Sequence, residues 1–259
     1  MTGMMLLIDI GNTHTHLGLA DDRQILGQTD VLTAHWSRTT APILLRRFVR
    51  KKPLNGAALC SVVPSCTPII WRSVFKVWNL RCLELNHKTV AQLGIDYPNP
   101  KSIGPDRLAN AVAAKHHFGA PVVVVDFGTA VTFDVVNSAG DYVGGIIAPG
   151  LAAMTDYLHE KTALLPRIKI KDTGRVVGKS TEEAMLIGAV HGYRGLVREL
   201  VKELKRELGE QHLPVVATGG YGKLIAAGLP EIEAVDPLLT LEGLRLSAEW
   251  RLRNAELKK

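Results

Sequence analysis

Two aspartates close apolar runs in the same way. Leu6-Leu7-Ile8-Asp9-Ile10-Gly11-Asn12-Thr13 is followed by the alternating Thr15-His16-Leu17-Gly18-Leu19. Val122-Val123-Val124-Val125-Asp126-Phe127-Gly128-Thr129 is followed by Val131-Thr132-Phe133-Asp134-Val135-Val136. Each reads as a buried strand, a tight turn and a hairpin partner. Gly11 and Gly128 let the chain bend and approach a ligand closely. Thr13 and Thr129 offer hydroxyls and successive N–H groups to anionic oxygens. A carboxylate repels phosphate, so Asp9 and Asp126 are expected to hold a cation, or its water, beside phosphates. Alone, Asp-x-Gly is an ordinary turn pattern. Two copies in matched contexts, nearly half the chain apart, point to paired hairpins gripping a nucleotide triphosphate from both sides.

A third strand–glycine junction, Pro214-Val215-Val216-Ala217-Thr218-Gly219-Gly220-Tyr221-Gly222, runs into a helical Lys223–Ala227. Glycines there suit the flat approach of a base or ribose, although glycine also ends many strands that meet no nucleotide. For substrate chemistry the candidate is Asp106, which follows Asp96-Tyr97-Pro98-Asn99-Pro100 and Ser102-Ile103-Gly104-Pro105. A first-turn aspartate is by default a favourable charge at the positive end of a helix. The rigid Gly104-Pro105 lead-in and the adjacent Arg107 suggest more. A carboxylate there can accept an alcohol proton while the guanidinium holds an anionic substrate.

Other signals carry less. His14 and His16 flank the first turn, where they are either phosphate-proximal or plain surface. His116-His117 suits a helix end better than a metal site, and Trp36, Trp71, Trp78 and Trp250 read as packing residues. Gly178-Lys179-Ser180 looks like the end of a Walker A loop, but the required earlier glycine falls at Thr173 and no strand precedes it. No GxGxxG follows a strand.

The elements that must position these residues follow from periodicity. After the Gly140-Asp141 turn, Tyr142–Ile147 completes the second hairpin, and a third strand for the first is expected near Gln24–Gln28. Thr40–Arg50 and Pro105–Phe118 read as helices, the latter with proline at its favoured first position. Thr181–Leu208 reads as two helices, or one interrupted near Gly192–Gly195; Val197, Leu200, Val201, Leu204 and Leu208 form a stripe in its second part. Ala57–Val63 and Pro214–Thr218 read as strands. The sum is two related α/β halves with a boundary near Gly119, residues 1–118 and 119–259.

Composition narrows the class. Of 259 residues, 46% are hydrophobic and 22% charged, which excludes wholesale disorder. The longest apolar runs fall far short of a membrane span. Met1–Leu7 carries no basic stretch and Asp9 interrupts the apolar run, so neither a secretory signal nor a membrane partner is expected. Cys60, Cys66 and Cys82 are odd in number and form no CxxC pair, which suits small buried thiols in a reduced, cytoplasmic setting. Lys plus Arg exceed Asp plus Glu by 31 to 25, a mild excess spread along the chain. The densest basic run, Arg46–Lys52, reads as the solvated end of a helix, not a nucleic-acid patch.

Five motifs in order carry a resemblance: Asp9-Ile10-Gly11-Asn12-Thr13, Gly104-Pro105-Asp106-Arg107, Asp126-Phe127-Gly128-Thr129-Ala130, Gly144-Gly145-Ile146-Ile147-Ala148-Pro149-Gly150 and Ala217-Thr218-Gly219-Gly220. With Asp236–Leu244 near the end, they closely resemble the type III pantothenate kinases of the acetate/sugar kinase–actin–heat-shock ATPase superfamily. The resemblance implies duplicated actin-like (ribonuclease H-like) lobes, mixed sheets flanked by helices, and a nucleotide cleft between them. It implies ATP-dependent phosphorylation of pantothenate, the first step toward coenzyme A, by a cytoplasmic homodimer. Asp9, Ile10, Gly11, Asn12, Thr13, His14, Thr15 and His16 would embrace the ATP phosphates, with Thr129, Gly219 and Gly220 as further ATP contacts. Asp126 would hold a monovalent cation, potassium or ammonium, with magnesium accompanying the nucleotide. Asp106 would be the proton acceptor, with Tyr97, Gly104, Pro105, Arg107 and Thr181 around pantothenate. The family commonly has alanine where this chain has Pro105. A nucleotide-sensing regulator on the same fold is the alternative; it would need no proton acceptor.

Overall fold

The computed structural model describes residues 3–256. Those residues form two compact units, one up to His117 together with the chain from Leu238 onward, the other Phe118–Pro237.

In the first unit, β1 (Met4–Ile10) is buried along nearly its whole length and pairs antiparallel with β2 (His14–Ala20), which pairs antiparallel with β3 (Ile25–Leu32). The sharp β2–β3 bend is made by Asp21, whose Oδ1 accepts from the N–H groups of Arg23 and Gln24, both at 2.8 Å. The helix α1 (Thr40–Val49) leads to β4 (Leu54–Ser61), which lies parallel to β1. The helix α2 (Thr67–Trp78) then returns the chain to β5 (Cys82–Glu84), parallel to β4. The strand order is β3-β2-β1-β4-β5. Alternation sends Leu6, Ile8 and Ile10 into a core with α1 and α2 residues Leu45, Val49, Ile70 and Val74. Met5 and Leu7 go to the opposite face. After the short β6 (Gly94–Ile95) comes α3 (Pro105–Phe118), whose Ala109 joins Met5, Leu7, Ala58 and Cys60 on that face.

The second unit repeats the plan. Strand β7 (Val122–Phe127) pairs antiparallel with β8 (Ala130–Val136), and β8 with β9 (Asp141–Pro149). Two helices, α4 (Leu151–Lys161) and α5 (Thr181–Leu208), precede β10 (Val215–Thr218), which is parallel to β7. Beyond α6 (Gly222–Ala226), β11 (Ala234–Val235) lies parallel to β10. Within its six-stranded sheet the run β9-β8-β7-β10-β11 matches the β3-β2-β1-β4-β5 order of the first unit, strand for strand. Val123, Val125 and Phe127 pack on Val190, Tyr193, Val197 and Val201 of α5. Burying each such side chain is worth about 1.5–3 kcal/mol, which holds α5 against the sheet.

The structure differs from expectation in three places. Helix α5 is continuous through Gly188, Gly192 and Gly195; each costs about 1 kcal/mol against alanine, less than the packed stripe returns. Trp36 is buried and Trp78 packs partly on the core, but Trp71 and Trp250 are each 39% exposed and do not belong to it. The expected second half ran from 119 to 259, whereas the last helix, α7 (Leu239–Glu256), folds onto β1, β4 and β2 of the first unit. It does so because Met5, Leu7 and Ala58 need a cover, which Leu241, Leu244 and Ala248 supply. Its Gly243 lies so close to α3 that a Cβ there would stand 1.9 Å from the Ala109 carbonyl oxygen.

Candidate active site

Asp9 is the penultimate residue of β1 and half-buried, on the face shared with Met5 and Leu7. Its parallel register partner on β4 is Cys60. The thiol is fully buried and donates to Asp9 Oδ1 at 3.3 Å. The turn beyond closes with Gly11 N–H donating to the His14 carbonyl at 3.0 Å, and a Cβ on Gly11 would meet that oxygen at 2.8 Å. Thr33 braces the turn from behind, its hydroxyl donating to the Gly11 carbonyl at 2.7 Å and its N–H to that of Thr13 at 3.0 Å. Asn12, Thr13 and His14 are exposed at the tip. Two expected ligand residues turn inward. Ile10 is core, and the Thr15 hydroxyl is buried, 3.1 Å from that of Thr33 and accepting from Trp36 Nε1 at 2.8 Å. Only their main chains can meet a ligand. His16 pairs with Asp30 at 2.8 Å.

Asp106 lies in the first turn of α3, one turn before Ala109, on the same side of the sheet as Asp9. Burial pushes the proton affinity of the Cys60 thiol up, and the nearby carboxylates of Asp9 and Asp106 add to it. Asp106 Oδ1 accepts from the Arg107 N–H at 2.9 Å. It folds back over Gly104, where a Cβ would stand 2.4 Å from that oxygen. Burial raises the pKa of Asp106 above the ordinary carboxylate value, outweighing the Arg107 N–H and guanidinium, which lower it. Tyr97 is half-buried in the loop after β6.

In the second unit, Asp126 occupies the position on β7 that Asp9 has on β1, and its parallel partner on β10 is Thr218. The junction after β10 folds onto it. Gly219 adopts φ +83°, a region glycine enters freely. A Cβ there would stand 2.5 Å from Asp126 Oδ1 and 2.7 Å from the Phe127 main chain. The Tyr221 N–H donates to the Phe127 carbonyl at 3.4 Å. Gly128 and Thr129 are exposed at the turn. Gly150, at the start of α4, packs so tightly that its Cβ would fall 2.2 Å from the Thr129 carbonyl. Tyr193 fixes that corner, donating to the Pro149 carbonyl at 2.9 Å.

Gly178-Lys179-Ser180 proves to be a helix N-cap resembling a capping box. Ser180 Oγ accepts from the Glu183 N–H at 3.2 Å, and Glu183 reaches back to the Lys179 N–H at 2.7 Å. Thr181 is exposed beside it and lines an apolar cavity of about 830 Å³ with Met154, Tyr157, Leu158 and Met185. His117 sits 3.5 Å from Glu242, and among the described residues no cluster of three or more His, Cys, Asp or Glu could cage a metal.

The profile of the family described as type III pantothenate kinase matches residues 5–203. A type III pantothenate kinase from Akkermansia muciniphila is 46% identical over 248 residues, 95% of this chain and 99% of that protein. One from Methylacidiphilum infernorum is 44% identical over 95% of this chain and 88% of that protein. The chain belongs to the type III pantothenate kinase family. It is a kinase that phosphorylates pantothenate in coenzyme A biosynthesis, and the regulator alternative gives way to that activity. Solved structures of low identity share the fold alone. The ethanolamine utilization protein EutJ from Carboxydothermus hydrogenoformans has a TM-score of 0.56 at 17% identity, covering 94% of this chain and 89% of that one. An inorganic polyphosphate/ATP-glucomannokinase from Arthrobacter sp. strain KM has 0.51 at 15%, covering 98% and 99%.

Sequence reasoning missed Cys60 and gave Gly150 no role of its own. Cys60 lies on a strand that the sequence does indicate, but its register against Asp9 is a tertiary fact. Gly150 sits in a quoted motif, yet only the fold shows what its missing side chain avoids.

Proposed function

We propose that Asp106 accepts the proton of the pantothenate primary alcohol while the phosphoryl group passes in line from ATP to that oxygen, leaving ADP and 4'-phosphopantothenate. The observation that carries this reading is a carboxylate of raised proton affinity, held by Gly104 and the Arg107 N–H on the sheet face of Asp9. Once ionised, such a group is a stronger proton acceptor than an ordinary carboxylate. Phosphoryl transfer asks little more of a protein than positioning and charge neutralisation.

The remaining roles divide by chemistry. Asp9 to His16 meet the nucleotide phosphates, Ile10 and Thr15 through the main chain, and Thr129, Gly219 and Gly220 make further ATP contacts. Gly104, Pro105, Arg107, Tyr97 and Thr181 surround pantothenate. Asp9 offers a single hard oxygen donor group. That suits magnesium, which keeps water and phosphate oxygens as its other ligands. Asp126 with the glycines around it suits potassium or ammonium, which takes carboxylate and main-chain oxygens. Bound there, the ions neutralise phosphate charge. A cytoplasmic setting is supported by three free cysteines. Among the described residues no helix is long and apolar enough to cross a membrane. A homodimer is supported by the apolar face of α4 and the segment after it. Tyr157 is 61% exposed and Leu164 90%, and patches of this kind mark association surfaces.

The test is turnover of ATP and pantothenate with magnesium and potassium, comparing the wild type with Asp106→Asn while calorimetry follows nucleotide affinity. Equal turnover would remove Asp106 from the chemistry.

A further inference from the structure

We infer that Cys60 is a positioning residue for the nucleotide, acting through Asp9. This rests on Asp9 being the phosphate-side carboxylate. The thiol stands opposite Asp9 in the β1–β4 register, is fully buried, and donates to Asp9 Oδ1 at 3.3 Å. A carboxylate that works beside a magnesium–phosphate complex must present one oxygen in a fixed direction. An S–H donor on the neighbouring strand, bound to Oδ1, helps fix the direction in which the carboxylate is held. Because Cys60 is packed among Leu7, Ala58, Ala109 and Leu241, its rotamer is set by the core rather than by solvent. The second unit makes the same choice in outline. The register partner of Asp126 is the buried Thr218, another small side chain with one donor proton. A small donor beside each turn aspartate is thus part of the duplicated plan.

Three variants separate positioning from packing. Cys60→Ala removes the donor. Cys60→Ser keeps a donor in nearly the same volume, and Cys60→Thr installs the residue type that faces Asp126. The measurements are the calorimetric affinity for Mg·ATP, the KM for ATP and for pantothenate, and the melting temperature without ligand. Loss of one hydrogen bond, weak because its donor is a thiol, should weaken Mg·ATP by roughly 3- to 10-fold in Cys60→Ala. KM for pantothenate should stay within twofold, and Cys60→Ser should recover most of the nucleotide affinity whatever its melting temperature. Two results overturn the inference. In one, Cys60→Ala binds Mg·ATP as the wild type does. In the other, its ATP and pantothenate constants move together with no recovery in either the Ser or the Thr variant. Asp9→Ala is run alongside: if it binds Mg·ATP normally, the role given to Asp9 fails and the Cys60 inference fails with it. A normal Cys60→Ala beside a defective Asp9→Ala sinks only the latter's partner.

Discussion

Asp9 and Asp126 are the penultimate residues of equivalent strands, yet they keep different company. Around Asp9 the neighbours are side chains: the Cys60 thiol, and Asp106 delivered to the same face by α3. Around Asp126, apart from its register partner Thr218, they are glycines: Gly219 at φ +83°, Gly128, and Gly150 behind Thr129. One topology has been furnished twice, once with a thiol and a second carboxylate, once mostly with backbone that carries no side chain. A duplicated fold therefore does not imply duplicated chemistry. Topology fixes where each turn sits, and side chains from later elements decide what it can do.

The comparison can be broken most directly at Asp106, which has no carboxylate counterpart among the neighbours described for Asp126. Asp106→Asn is expected to lower kcat by on the order of 10²–10⁴, with Mg·ATP affinity near the wild type. Gly104→Ala should act on the same group more gently. Its Cβ would clash with the end of the Asp106 side chain and otherwise touch only the flexible Arg107 side chain at 3.4–3.5 Å, so the fold adjusts while the carboxylate is displaced. A fall in kcat of about 10² with an almost unchanged melting temperature is expected, and an unchanged kcat would show that the placement of Asp106 is not critical. In the other unit, Asp126→Ala should weaken potassium activation by on the order of 10- to 100-fold in a potassium titration. A variant still activated normally would put the ion elsewhere.

Gly219→Ala is expected to cost stability before chemistry. Its Cβ would press on the Phe127 backbone in a region of positive φ. The cost should be about 1–3 kcal/mol, or several degrees in melting temperature. Equal melting of Gly219→Ala and Gly104→Ala would erase the contrast between a backbone contact and a side-chain contact. The smallest effect concerns pH. Burial raises the pKa of folded Asp106, so its protonated form favours the folded state. Its contribution to stability is fully present below the ordinary carboxylate range and is lost as pH rises through the raised value. Melting of the wild type relative to Asp106→Asn should decline across that window, and the acid limb of kcat/KM should lie above the position for an ordinary carboxylate. A difference flat with pH would mean that burial leaves this carboxyl unperturbed.

Much of this was written locally. The two strand–turn–strand units, the third strands, and α3 over Pro105–Phe118 all follow from alternation, turn glycines and a first-position proline, because those signals act within a few residues. Helix α7 is harder to read. Leu239, Leu241, Leu244, Leu246 and Ala248 are buried, but so are Glu242, Arg245 and Ser247, so no clean apolar stripe appears. Arg245 is satisfied inside by paired bonds to Glu242, at 2.8 and 2.6 Å, and by the Asp22 carbonyl at 3.0 Å. Helical charges that look solvated on paper are here internal to the first unit.

The sequence by itself determined the duplicated hairpins, the residue types at their bends and the helix that carries Asp106, since each depends on near neighbours. Tertiary structure alone decided that Cys60 stands opposite Asp9, that Gly219 lies against Asp126, that the Thr15 hydroxyl turns into the core, and that α7 closes the first unit. Those facts depend on strand register and on which face a distant segment covers, and burial of the whole surface, rather than any short stretch of residues, sets both.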